Sequence, residues 1–84
     1  MEENKNTNCR SSCNKIRAKK TSTVEECMDL CKKNEMCRHY IWHKLGNYWE
    51  QDCVVVLVKK EGVVDVYRNK DNNTITGTCS LGLF

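Results

Sequence analysis

The pattern of apolar and polar positions changes period along the chain. Residues 1–8 are polar and read as a frayed N-terminal tail. Over residues 13–20 basic and non-basic side chains alternate. In an extended strand this puts Lys15, Arg17 and Lys19 on one face, with Ile16 and Ala18 on the other. The period then becomes helical: Val24, Cys27, Met28 and Cys31 fall at i, i+3, i+4 and i+7, and Leu30 widens the stripe. Thr23 followed by Glu26 is a capping box that starts this helix. Glu25, Glu26 and Asp29 precede Lys32 and Lys33, the order that suits the helix dipole, and the helix is expected to end near Lys33 or Asn34.

Beyond the helix the pattern is that of strands. Residues 37–43 are aromatic and β-branched, and Leu45-Gly46-Asn47 begins a loop. Cys53 opens a valine-rich run to Val58, the longest apolar run in the chain and suited to burial on nearly both faces. Residues 59–62 suit a hairpin turn, 63–67 a return strand, 69–73 a polar loop and 74–79 a short final strand. The expected fold class is α+β: a single helix packed across a 4-5 stranded antiparallel sheet. Proline is absent, so the turns rely on Gly, Asn and Asp.

Composition adds a stability problem. Only 39% of the 84 residues are hydrophobic, and seven of those are cysteines. A core this small supplies no more than about 3–5 kcal/mol and calls for covalent staples. The cysteines stand at 9, 13, 27, 31, 37, 53 and 79. Their odd number leaves one thiol spare or paired with another chain. Zinc sites favour tight C-x₂-C knuckles, and none exists here, although His39 and His43 share a strand face. Disulfides in a secretory or extracellular compartment are therefore the expected use, with no metal and no cofactor. No apolar run is long enough for membrane insertion, and the N-terminus lacks the apolar core of a signal peptide. A secreted parent is thus expected to yield this chain as a mature fragment.

The formal charge is +3, and the excess is one-sided. Residues 1–23 carry six basic and two acidic side chains, whereas the remainder is nearly balanced. That asymmetry suits an acidic partner, and the plainer alternative is a solvated basic strand.

Taken in order, Cys27-x₃-Cys31-x₅-Cys37-x₂-Tyr40-x-Trp42, followed by Cys53-x-Val55, resembles the PAN/apple module, a helix with two cysteines laid across an antiparallel sheet. The likeness spans about residues 10–79. It is nearest to the N-terminal domains of hepatocyte growth factor and plasminogen, through Ile16-Arg17-Ala18-Lys19-Lys20 before the helix and residues 65–71 after it. The module is placed at 9–79, between a disordered tail at 1–8 and a C-terminal tail at 80–84. The resemblance implies core bridges Cys27–Cys53 and Cys31–Cys37, with Cys79 tying the chain ends to Cys9 or Cys13. Helix geometry agrees, since Cys27 and Cys31 lie one turn apart on the buried face.

The family has no shared catalytic residues and binds proteins or carbohydrates in growth factors, blood proteases, leech antihaemostatic proteins and micronemal adhesins. The resemblance therefore implies a secreted binding or adhesion module, one part of a larger protein. Its partner would be an extracellular or cell-surface protein, or a sulfated or neutral glycan, and not a nucleic acid. Two surfaces are candidates. Lys15, Arg17, Lys19, Lys20 and Lys33 suit a heparin-like polyanion, although Leu30 and Glu35 stand where the growth-factor domain is basic. His43, Tyr48 and Trp49 suit a glycan or protein contact, with Trp49 alternatively closing the edge of the core. Tyr40 and Trp42 read as core aromatics. Ser11, Ser12, Ser22 and Ser80 lack a nucleophile motif, and the bridges consume the thiols, so no enzyme activity is expected. Asn72-Asn73-Thr74 is an N-glycosylation sequon.

Overall fold

In the computed structural model the helix forms where the capping box and apolar stripe put it. The Thr23 hydroxyl accepts from the Glu26 N–H, and the Glu26 carboxylate accepts from the Thr23 N–H. This helix, α1 (Val24–Lys32), follows strands β1 (Glu2–Cys9) and β2 (Cys13–Lys20) and precedes β3 (Cys37–His43), β4 (Asp52–Val58) and β5 (Val66–Thr78). The structure describes residues 1–58 and 66–79. The expected turn at 59–62, the first part of the return strand and the tail at 80–84 lie outside the described residues.

The strands form one antiparallel sheet in the order β1-β5-β3-β4-β2. The helix covers its front face. Val24, Cys27 and Cys31 pack there against Tyr40, Trp42, Cys53, Val55 and Cys79. The Trp42 indole N–H donates to the Thr21 carbonyl at 3.3 Å, which satisfies the polar end of a buried ring. Disulfides Cys27–Cys53 and Cys31–Cys37 close this face, joining the helix to β4 and to the start of β3.

The rear face is also buried, and its cover is the chain's own N-terminus. Residues 2–9 form β1, where the polar sequence predicts a frayed tail. The β1–β5 register jumps between Glu3↔Ile75 and Lys5↔Lys70, so Asn4, at φ 59°, stands opposite residues 71–74. Such a bulge bends the paired ribbon sharply. The part of the ribbon beyond it folds back over the sheet: Thr7 pairs with Arg68 along the ribbon, yet its hydroxyl lies 2.6 Å from that of Thr76. Arg68 likewise donates to Thr78 at 2.8 Å. Thr7, Thr74, Thr76, Ile41 and Val56 are buried beneath this fold.

Two sequence expectations change for the same reason. The stretch 69–73 lies within one long strand, β5, and its turn chemistry makes the bulge; the Asp71 carboxylate accepts from the Asn73 N–H. A second bulge in β2 splits the basic stripe. Arg17 pairs with Val54 but Lys19 pairs with Cys53, so Ala18 is the extra residue. Paired residues share a face. Arg17 is therefore on the rear with Lys15, and Lys19 is on the front.

The end-to-end bridge from Cys79 to Cys9 or Cys13 does not form. Cys9 pairs with Cys13 across a tight connection in which Ser12 has φ 58°. Cys79 is a free, buried thiol packed beneath the helix near Met28. The reason is spatial. The folded ribbon carries Cys9 to the rear, whereas β5 ends with Cys79 in the front core, and the sheet separates them. Burial pushes the Cys79 thiol pKa up, with Lys32 opposing.

Candidate functional site

The β2 bulge turns Lys19 toward α1, and the next residues lead straight into the helix cap. Between this strand end and the helix lies an open cleft of about 360 Å³, lined by Lys19, Lys20, Leu30 and Lys33 with Glu26 and Asp29. Lys33 is the helix C-cap, where the dipole favours a cation. Glu26 is engaged in capping, accepting from Ser22 N–H at 2.8 Å as well as from Thr23. Lys19 and Lys33 form no ion pair among the described residues. Lys20 is held: its ammonium lies 3.3 Å from Asp52 and donates to the Glu50 carbonyl at 2.8 Å.

Asp52 is a residue the sequence reading missed. Its side chain is 4% exposed and takes Lys20 on one oxygen and Arg17 on the other, each at 3.3 Å. An acidic residue just before a cysteine and a valine run was the only signal. Such a buried carboxylate is tolerable because two cations pair with it.

Arg17 faces the rear and lies 5.1 Å from the centre of the Trp49 ring. Tyr48 and Trp49 meet edge to face, with centroids 4.6 Å apart. Trp49 does not close the core edge; it remains 45% exposed and Tyr48 85%. Their loop is tightly bonded. Gly46 takes φ 95° and donates to Glu50, Asn47 donates to the Lys44 carbonyl at 2.6 Å, and Trp49 N–H donates to the Asn47 side chain at 2.9 Å.

Of the five basic candidates, the structure brings Lys19, Lys20 and Lys33 to the cleft, puts Arg17 beside Trp49, and leaves Lys15 on the rear. There Lys15 is 3.5 Å from the Asn8 side chain, and burial lowers its pKa against the pull of Asp71. His43 is half-buried on the rear of β3. Burial lowers its pKa, Asp52 and Asp71 oppose, and Lys15 and Arg17 add to the lowering. His39 sits on the same face with its Nδ1 buried and without a hydrogen-bond partner among the described residues; burial and then Arg68 and Arg38 lower its pKa. Asn72 is exposed, while the Thr74 hydroxyl of the sequon is buried and donates to the Lys5 carbonyl at 2.7 Å.

Among the described residues no group of three or more His, Cys, Asp or Glu side chains is arranged to hold a metal ion. No helix among them is long and apolar enough to cross a membrane. Three disulfides together with that absence are compatible with an extracellular protein. No family model matches the chain, and no curated protein or solved structure matches it at a significant level.

Proposed function

We propose that this chain is a secreted, non-enzymatic binding module of the PAN/apple type, and that the cleft between β2 and α1 receives a sulfated glycan. One observation carries the ligand reading: the neighbours Lys19 and Lys20 and the sequence-distant Lys33 border one cleft, and Lys19 and Lys33 form no ion pair among the described residues. Sulfate groups entering there gain charge-assisted hydrogen bonds. Glu26 and Asp29 oppose a dense polyanion, which favours a chain that carries its charges at intervals. The module reading is supported by the two bridges on the helix, which pair as the resemblance implies, while Cys9–Cys13 departs from that pattern. Membership of a larger host-attachment protein, or action as a soluble antihaemostatic effector, would use the same cleft.

The test is retention on immobilised heparin against a plain cation exchanger of equal charge density. The wild type is expected to elute from heparin at higher salt, and Lys19→Ala/Lys33→Ala to lose that difference with an unchanged melting temperature. Equal retention of the wild type on both columns would refute the reading.

A further inference from the structure

Resting on that glycan reading, we propose that Tyr48 and Trp49 form a second subsite, a sugar-ring platform for the same anionic chain whose sulfates enter the cleft. Two large aromatics stand in solvent on a loop that is internally cross-bonded. The loop is also pinned at its end, where Gln51 N–H donates to the His43 carbonyl at 2.7 Å. The rings are thus displayed in one geometry before a ligand arrives, which reduces the ordering cost of binding. They stand 89° apart and make a corner. The C–H face of a pyranose packs on such rings, while its hydroxyls and charged groups need polar partners at the rim.

Charge selects the occupant. Arg17 borders Trp49 and Lys20 lies one step further along β2, both fixed by Asp52. An apolar partner would strip water from these cations without replacing it. An anionic sugar satisfies the ring and the cations together. Lys20 also lines the cleft, so the two subsites adjoin. The Ala18 bulge turns Arg17 and Lys19 to opposite faces. A single glycan must therefore pass around the end of β2, which is the edge strand beside β4 among the described residues. That path sets a minimum ligand length: a disaccharide reaches one subsite, and a longer chain reaches both.

The experiment is calorimetric titration with heparin fragments of two, four and six sugars, and with inorganic polyphosphate as a polyanion without rings. Wild type, Trp49→Ala, Trp49→Phe and Lys19→Ala/Lys33→Ala are compared. Wild-type affinity is expected to rise with fragment length. Trp49→Ala should weaken hexasaccharide binding about thirtyfold, the scale of a binding hot spot, and flatten the length dependence. It should leave polyphosphate binding unchanged, and Trp49→Phe should retain most of the affinity. Hexasaccharide binding that is indifferent to Trp49→Ala but lost in Lys19→Ala/Lys33→Ala would overturn the platform and keep the cleft. An equal loss for polyphosphate would also overturn it, because the ring would then serve only to position Arg17. Tighter, Trp49-dependent binding of an aspartate-rich peptide would assign the platform to a protein partner instead. Hexasaccharide binding no tighter than polyphosphate, and unaffected by either variant, would refute the cleft itself.

Discussion

Both faces of the sheet are covered, but they are held by different chemistry. The front is made of disulfides, aromatic rings and valine beneath the helix. The rear sets Ile41 and Val56 among threonine, histidine and charge beneath a folded ribbon. Front-face packing is non-directional, and covalent staples reinforce it. Rear-face packing is conditional: each buried hydroxyl needs a partner, and threonine offers the shape of valine only when its oxygen is satisfied. Thr76 meets both Thr7 and the Tyr40 carbonyl, and Thr74 meets the Lys5 carbonyl. A domain can therefore cover a second face with a segment of almost no hydrophobicity, provided its hydrogen bonds close.

The largest expected effect falls on the front. Cys27→Ala/Cys53→Ala removes a bridge spanning 26 residues. It should cost about 3.5 kcal/mol by loop entropy, comparable to the whole apolar core. Thermal unfolding followed by circular dichroism should lose its cooperative transition, and an unchanged melting temperature would show that packing alone holds this face. Next, Gly77→Ala tests the contact between β5 and the front core. A Cβ there would overlap the Tyr40 ring, and the cost should be about 3 kcal/mol in urea unfolding. On the rear, Thr76→Val should cost about 2 kcal/mol by stranding the Thr7 hydroxyl. Adding Thr7→Val should recover part of that loss; a double variant that is additively worse would break the account of a conditional rear face.

The smallest effect is pH-dependent and should be confined to the rear. His39 has its pKa lowered below 6.5 by burial, Arg68 and Arg38. The folded state therefore binds fewer protons than the unfolded state. Stability should be unaffected by His39 above its ordinary value. It should fall as pH drops through that value toward the lowered one, and level off below it. The melting temperature should decline between about pH 7.5 and 5.5 more in the wild type than in His39→Gln. Equal declines would remove His39 from the rear-face balance.

Much of the front face was legible in the chain. The capping box, the stripe ending in Cys31 and the valine run each carry their own local reason, so helix and strands could be read from them, while the two bridges at the helix were implied by the family resemblance. The cleft was legible only in composition. Lys19, Lys20 and Lys33 were visible as charges, but their company with Glu26 and Asp29 depends on how β2 meets α1. The rear was opaque, because periodicity detects hydrophobic burial and Thr7, Thr74 and Thr76 are buried through hydrogen bonds. Asp52 was opaque for a related reason: its partners lie 35 and 32 positions away in sequence.

The sequence by itself determined where the helix starts, which of its residues form the buried stripe, that the class is α+β and that cysteine must reinforce a thin core. These are local consequences of period, capping and composition. Only the tertiary structure decided that residues 2–9 are a strand, that Cys9 meets Cys13 while Cys79 stays a buried thiol, and that one bulge splits the basic stripe in two. Each of those depends on register, and a register shift of one residue reverses every side chain beyond it.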